Sequence, residues 1–375
     1  MPEFNMTALK KRFKSIDTIR GISMAWMIFG HLIDWWTKPE SSWVVGIFHS
    51  FFDPIGASCF LFISGMSITL SYRKRRSKAK YSPDISMKKE RNEYLIRAFL
   101  VLLVAFGYNL TVAIGTFDPS FIWAWFILLT IAMSLFLAFP LLYTSKYFRI
   151  LFSTLLWFFN FIIIDVLNPF QGELGLLGLA FHIFYYPLNL SPILYFFSFF
   201  LLGTVIGDLF FEFSLIDIPV KKREFAMRKM IWPLFLIGIG FLIMSVIFMY
   251  PSFLSRRTIP WLFYSVGGHF TLIAVLFFVQ DLKTINFKKN YRFFYYYSYY
   301  SLTVFLLHNV LYFLFLNQLD AFWAIIFSFS GSITIGLILN LVYKKLGAKF
   351  SLKIQISLLA SSVSTKVEAL IMRKR

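Results

Sequence analysis

The sequence predicts an all-α, polytopic integral membrane bundle of about ten transmembrane helices, with both termini in the cytoplasm. Three observations lead to this prediction: the composition, the recurrence of long apolar runs, and the distribution of basic residues. Of the 375 residues, 58% are hydrophobic and only 15% are charged, whereas a soluble domain is roughly 45–50% apolar. A soluble core cannot bury so many apolar side chains, so many of them are expected to face lipid.

Apolar runs of about 20 residues, the length of helix that crosses ~30 Å of hydrocarbon, recur along the chain. Trp and Tyr flank many of these runs, as is typical of the membrane–water interface. The first run follows no signal-peptide pattern with a cleavage site and is expected to remain as the first span. The predicted spans are 18–36, 44–72, 94–114, 120–143, 149–166, 192–212, 231–250, 261–280, 294–316 and 321–343.

The basic residues predict the orientation, because short cytoplasmic loops collect Lys and Arg. With the N-terminus inside, all but three of the 37 Lys and Arg fall on the cytoplasmic side, the exceptions being Lys38, Arg256 and Arg257. The net charge of +19 is therefore interpreted as a topology signal and as attraction to anionic lipid or cytosolic anions, and not as a sign of nucleic-acid binding. We expect a transmembrane domain over 1–343 and a basic cytoplasmic tail over 344–375.

Cysteine and histidine spacing argues against metal and disulfide chemistry. The single cysteine, Cys59, excludes an intramolecular disulfide and a multi-Cys metal site, and among apolar neighbours it is expected to act as inert packing. No zinc-like spacing joins the histidines, so no metal is predicted.

The ionisable residues inside the predicted spans gather on one side. Such residues are costly in a membrane and usually functional, although a histidine can also serve as a hydrogen bond between helices. Together they predict a polar cavity that opens outward. The residues in or near the outer halves of the spans are His31, Asp34, His49, Asp53, His269 and His308, and His182 lies in the predicted outer loop 167–191.

Arg20 and His31 stand eleven residues apart on the first predicted span. At ~100° per residue they share one helix face and stand ~16 Å apart. Arg20 is either a snorkelling anchor or an anion-binding residue. An acyl-CoA has a matching shape, with phosphates at one end and a thioester at the end of a long arm, and a neutral histidine is the usual base for acyl transfer near pH 7. Arg73 and Arg75, at the inner end of the second span, are either stop-transfer charges or further phosphate ligands.

Two segments near the N-terminus resemble a known family. SIDTIRGISMAWMIFGH, with Arg20 and His31 in an R-x10-H pattern, resembles the opening span of the membrane-bound acyltransferase-3 superfamily. The next span, DPIGASCFLFISGMSITLSYRKR from Asp53 to Arg75, is similar to the heparan-α-glucosaminide N-acetyltransferase-like branch, in which an Asp precedes an F-x-F-x-x-G run. In that branch we expect a histidine just before the second span and ahead of a Trp, where this sequence has Glu40 ahead of Trp43.

The resemblance implies a transmembrane acyltransferase of the cell membrane that moves an acyl group, commonly acetyl, from cytosolic acyl-CoA to a hydroxyl or amino group of an extracytoplasmic glycan or lipid-linked sugar. His31 is then the carried-over catalytic residue and Arg20 the donor-side residue, while His49 remains a second candidate for the base. Two alternatives stay open: a proton-coupled transporter or flippase, and a non-catalytic membrane protein of the same fold. The expected supporting residues are Asp53 and Asp34 for catalysis and His49, His269, His308, Arg73 and Arg75 for substrate binding.

Overall fold

A computed structural model describes residues 12–81, 86–187, 190–248, 258–282 and 292–373. These residues are helical almost throughout, and they contain no β-strand. Arg256 and Arg257 lie outside the described residues. The α-helices are, in chain order, α1 (Lys14–Trp36), α2 (Trp43–Phe52), α3 (Ala57–Tyr81), α4 (Met87–Thr116), α5 (Ile127–Leu141), α6 (Lys146–Leu167), α7 (Leu176–Tyr185), α8 (Ile193–Ser214), α9 (Pro219–Phe225), α10 (Trp232–Phe248), α11 (Ile259–Leu276), α12 (Phe293–Tyr299), α13 (Ser301–Leu307), α14 (Ala321–Lys345) and α15 (Leu352–Arg373).

Eight helical segments in the described part of the chain are long and apolar enough to cross a membrane. They correspond to eight of the ten predicted spans, so the prediction of an all-α polytopic membrane protein is confirmed. The other two predicted spans are helical as well. The first, 18–36, lies in the 23-residue helix α1, whose polar side chains lower its hydropathy; the other, 294–316, is divided among α12, α13 and a 3-10 helix from His308 to Phe313. The side of the membrane on which the termini lie stays a prediction.

The helices form two compact units. Unit one comprises, among the described residues, 64–215 and 356–373. Helix α8 lies at its centre, and most of its side chains are buried. A side chain at Gly65 would collide with the carbonyl of Phe200, so α3 and α8 approach each other closely enough that only glycine fits. The predicted tail contributes α15, which joins this unit through a hydrogen bond from Ser364 Oγ to the carbonyl of Lys89.

Unit two comprises 12–63 and 216–355. In it α1 packs against α2, α11, α12 and α14. Helices α10 and α11 form a tight pair, because a Cβ on Gly267 would lie only 2.8 Å from the carbonyl oxygen of Gly238.

The first turn of α1 is capped by a side chain from another helix. Phe13 precedes the helix and has no side chain that can cap it, whereas the first N–H groups of a helix require acceptors. Asp281, at the end of a π-helical turn after α11, accepts hydrogen bonds from Lys14 N at 2.9 Å and Ser15 N at 3.1 Å. Its negative charge also suits the positive end of the helix dipole.

The second predicted span, 44–72, is interrupted. Helix α2 ends at Phe52, a short 3-10 turn follows from Asp53 to Ile55, and α3 begins only at Ala57. Pro54 accounts for the break, because proline has no N–H for an intrahelical hydrogen bond. The break places Asp53 at a bend between two helices.

Candidate active site

Two of the predicted site histidines lie side by side in unit two. The ring of His31 stacks on Trp35, with centroids 5.1 Å apart, and lies 5.1 Å from the ring of His308. Trp35 stacks on His308 at 5.6 Å and meets the edge of Tyr312 at 5.4 Å. We call His31, Trp35 and His308 the histidine stack. Asp34 lies next to Trp35 in the last turn of α1 and is exposed.

The hydrogen bonds of His308 define its tautomer. This residue is buried where α13 passes into the 3-10 helix, and its Nδ1 lies 2.5 Å from the carbonyl oxygen of Phe305. Because a carbonyl oxygen only accepts, Nδ1 carries the proton of the neutral ring and Nε2 is left as a proton acceptor. The 3-10 helix is attached to α1 by a hydrogen bond from Trp36 Nε1 to Leu311 O at 2.9 Å.

His49 and Asp53 form a second pair in the same unit. His49 Nδ1 lies 2.8 Å from Asp53 Oδ1, on consecutive turns across the end of α2. The carboxylate accepts, so it orients the ring with Nε2 as the potential base. The His49 ring lies against α1, since a Cβ on Gly30 would stand 3.5 Å from its Cε1 atom. Gly30 directly precedes His31, so the pair and the histidine stack lie on adjacent faces of the same part of α1.

His269 lies at the break between α2 and α3. It is only 3% exposed, and its Nε2 lies 2.7 Å from the carbonyl oxygen of Pro54. Its ring stacks on Phe62 with centroids 5.3 Å apart. His269 is therefore connected to the His49–Asp53 pair through the backbone of the turn.

Arg20 lies at the other end of α1, in a group of charged and polar side chains. Its Nη1 donates to Ser298 Oγ at 3.3 Å and stands 3.6 Å from Asp17 Oδ1. Asp17 also forms an ion pair with Arg12, and Lys353 Nζ donates to the carbonyl of Ser298 at 2.8 Å. Three cations thus surround one carboxylate and one serine.

The spacing of Arg20 and His31 inferred from the sequence applies to the structure, because α1 is one uninterrupted helix from Lys14 to Trp36. A rise of ~1.5 Å per residue places the two residues ~16 Å apart along its axis. Cationic groups therefore lie at one end of α1 and proton-accepting imidazoles at the other.

The two other predicted arginines lie in unit one and are engaged in ion pairs. Arg73 Nε donates to Asp208 Oδ1 at 2.7 Å, and its Nη2 donates to the carbonyl of Leu142 at 2.7 Å. Arg75 forms an ion pair with Glu93. Both guanidinium groups hold helices of unit one together in this structure.

Sequence reasoning missed two groups of residues. One is Arg149 of α6, which is completely buried, pairs with Asp208 and donates to Thr204 Oγ1 at 2.8 Å. The signal was present, because a carboxylate inside the sixth predicted span requires a cationic partner. The other is Trp35, whose ring contacts both histidines of the histidine stack.

At the start of the fourth predicted span, the 3-10 turn that follows Asp118 meets the end of α7 in a polar cluster. Ser120 Oγ donates to Asp118 and lies 2.5 Å from the Tyr186 hydroxyl. The ring of His182 stacks on the Tyr186 ring, with centroids 4.5 Å apart. Hydrogen bonds from Ser120 lower the pKa of the Asp118 carboxyl. Burial lowers the pKa of His182, although the Asp118 charge opposes this shift.

Within the described ranges, no three His, Cys, Asp or Glu side chains converge as a metal site would require. The chemistry that the described residues offer is acid–base chemistry, in which imidazole nitrogens accept protons and the cations at the other end of α1 attract an anion.

The fold and these side chains define a polytopic α-helical membrane protein with an ionisable site built on its first helix. A family model described as "Heparan-alpha-glucosaminide N-acetyltransferase, catalytic" matches residues 12–250. The chain belongs to this family, and it is accordingly a membrane protein of an acetyltransferase enzyme family. The match includes His31, His49 and Asp53, whereas His269 and His308 lie beyond it. No curated protein and no solved structure matches the chain.

Proposed function

We propose that this protein transfers an acyl group, in the simplest case acetyl, from cytosolic acyl-CoA to a hydroxyl or amino group of an extracytoplasmic glycan or lipid-linked sugar at the cell membrane. The observation that carries the proposal is the single helix α1, within the family match, with Arg20 at one end and His31 in the histidine stack at the other. The orientation expected from the basic residues places Arg20 on the cytosolic side, both termini in the cytoplasm and residues 344–375 beneath the membrane.

Arg20 attracts the phosphates of the donor, because a guanidinium forms charge-assisted hydrogen bonds to phosphate oxygens. The arm of coenzyme A then runs along α1 toward the stack. Arg73 and Arg75, in unit one, attract phosphates less strongly by themselves, because their ion pairs with Asp208 and Glu93 reduce the charge available.

His31 accepts the proton of the acceptor hydroxyl or amine while the oxygen or nitrogen of the acceptor attacks the thioester carbonyl. The new acyl–oxygen or acyl–nitrogen bond forms, the carbon–sulfur bond breaks, and the leaving thiolate of coenzyme A takes up a proton. His308 lies beside His31 with Nε2 as a proton acceptor, and Asp34, which is exposed in the last turn of α1, is proposed as a supporting catalytic carboxylate.

The His49–Asp53 pair is the alternative base. Its geometry, with a carboxylate on Nδ1, resembles the way in which other enzymes orient a catalytic imidazole. Substitutions at the two histidines therefore decide between them.

The test uses the purified chain in proteoliposomes with labelled acetyl-CoA. Arg20→Ala should mainly weaken donor binding, and Arg20→Lys should restore part of it because the charge is kept. His31→Ala should leave donor binding nearly intact and slow transfer by about 10²–10⁴-fold, the usual effect of losing a general base. Arg228, which is exposed and pairs with Glu224, provides a matched control, since Arg228→Ala should change neither quantity.

If His31→Ala transfers the acyl group at the wild-type rate and His49→Ala transfers it slowly, the base is His49. Solute movement without consumption of acetyl-CoA would support the transporter instead. A wild-type protein that neither binds nor consumes acetyl-CoA would refute the enzyme proposal.

A further inference from the structure

The break between α2 and α3 leaves backbone groups that need partners. A helix that ends has carbonyl groups in its last turn without intrahelical donors. Within a membrane, an interrupted helix persists only where neighbouring protein groups, or water in a polar cavity, replace the missing hydrogen bonds. At the break over Asp53–Gly56, other elements of unit two supply such groups.

Helix α11 supplies two of these donors. The Tyr264 hydroxyl donates to the carbonyl of Phe51 at 3.1 Å, and His269 Nε2 lies 2.7 Å from the carbonyl oxygen of Pro54. Ser58 Oγ donates to the same Pro54 oxygen at 3.1 Å. Because a carbonyl only accepts, Nε2 of His269 carries the proton and is committed to the backbone.

The donors on α11 are themselves held in place. His269 is buried and stacked on Phe62, and Tyr264 lies five residues earlier on the same helix. Behind them α11 is packed against α10 through Gly267 and Gly238. The two side chains thus attach the turn to the closely packed pair of α10 and α11.

We propose that Tyr264 and His269 are positioning residues that hold the Asp53–Gly56 turn so that the Asp53 carboxylate stays on Nδ1 of His49. This assigns His269 a different task from the substrate contact expected from the sequence. The inference rests on the proposed function in the form in which the His49–Asp53 pair takes part in catalysis, so the kinetic test below applies where His49→Ala slows transfer, and the exchange measurement applies in either case. A shift of ~1 Å in such a geometry can slow a reaction by as much as 10²-fold.

A double-mutant cycle on acetyl transfer tests the coupling. His269→Leu should lower kcat at least about tenfold and leave KM for acetyl-CoA nearly unchanged, because the donor is held at the other end of α1. Tyr264→Phe should act in the same direction more weakly, and His269→Gln should recover part of the loss because its amide N–H can donate. In an Asp53→Asn background, His269→Leu should cause no further loss beyond about twofold, since residues that act through one another are not additive.

Independent, additive effects of His269→Leu and Asp53→Asn would overturn the proposal, because a residue that only stabilises the fold contributes separately. Tyr264→Phe keeps the ring and removes only the hydroxyl, so it provides the same test if His269→Leu does not fold.

A second measurement does not depend on activity. Hydrogen–deuterium exchange of the peptide covering residues 50–60, measured in detergent, should accelerate in Tyr264→Phe and His269→Leu, because the loss of a tethering bond raises local opening. Val275→Ala is the matched control, since Val275 lies on the same helix and is exposed. Exchange of the 50–60 peptide should not change in this variant.

Unchanged exchange in all three variants would refute the positioning role even if acyl transfer is observed. If the wild type transfers no acyl group, the proposed function fails while this measurement still decides whether α11 holds the turn.

Discussion

Two adjacent glycines on α11 offer a direct test of the packing behind the site. A Cβ on Gly267 would lie 2.8 Å from Gly238 O and 2.9 Å from the backbone nitrogen of Leu242, whereas a Cβ on Gly268 would meet nothing within 4 Å. Gly267→Ala and Gly268→Ala therefore add the same methyl group to the same helix, one against the α10 backbone and one into open space.

The two substitutions should have opposite effects on stability. In a helix, Ala is favoured over Gly by ~0.5–1 kcal/mol, and Gly268→Ala should gain about this amount. Gly267→Ala has the same propensity gain, but contacts of 2.8–2.9 Å to backbone atoms require α10 and α11 to separate by a few tenths of an ångström. Overpacking of this kind costs ~1–3 kcal/mol. Because the propensity gain is common to both, Gly267→Ala should be less stable than Gly268→Ala by this overpacking cost.

Thermal unfolding of the two proteins in one detergent, followed by tryptophan fluorescence, measures the difference. Acetyl transfer should decline with Gly267→Ala as well, because a displaced α11 moves Tyr264 and His269 away from the turn. Equal stability of the two variants would refute the claim that the α10–α11 contact is too close for a side chain.

Three further outcomes follow from other parts of the molecule. Asp208→Asn should destabilise by ~3–5 kcal/mol, because it leaves the buried Arg149 guanidinium without its carboxylate. Arg149→Leu should cost less, because Asp208 keeps its ion pair with Arg73. Chemical denaturation measures both losses, and a loss below ~1 kcal/mol for Asp208→Asn would contradict the described pairing. Cysteines introduced into 167–191 should react with an impermeant reagent added outside intact cells, whereas cysteines in 213–230 should not, and the opposite pattern would reverse the predicted orientation. The folded-state pKa of His182 lies below its ordinary value, so the neutral ring's contribution to stability is present above pH ~6.5 and is lost as pH falls through the folded-state pKa. Thermal melting at pH 7.5 and 5.5 should therefore show a smaller acid-induced loss of stability in His182→Gln than in the wild type. An equal loss of stability in the two proteins would exclude this contribution of His182.

The elements that could be predicted from the sequence were those fixed by local periodicity. The spacing of Arg20 and His31 follows from helix geometry alone, so their shared face needed no tertiary information. The apolar runs predicted most spans because run length and hydropathy are also local properties of the sequence. The interruption at Asp53 was missed because 44–72 remains apolar across Pro54, and hydropathy does not register a lost hydrogen bond.

The contacts that could not be predicted join distant parts of the chain or involve backbone atoms. His269 lies 215 residues from Pro54, and its partner is a carbonyl oxygen, which every residue possesses. The proximity of His31 and His308 likewise depends on how α13 packs against α1, and single-sequence patterns carry no such information. The histidines could be selected as ionisable residues within spans, but their partners could not.

The position of α1 in unit two has a consequence for biosynthesis. This helix is made first, yet its partners α12 and α14 are made near the end of translation, with about 250 residues separating Trp36 from Phe293. At ~5–20 residues per second, translation of that interval takes tens of seconds. During this time Asp17, Arg20 and His31 wait in the bilayer or in the insertion machinery without the side chains that later surround them. The helix that carries the proposed chemistry therefore depends on the completed chain for its final environment, and nascent chains that stop before α12 should be preferred substrates for membrane quality control.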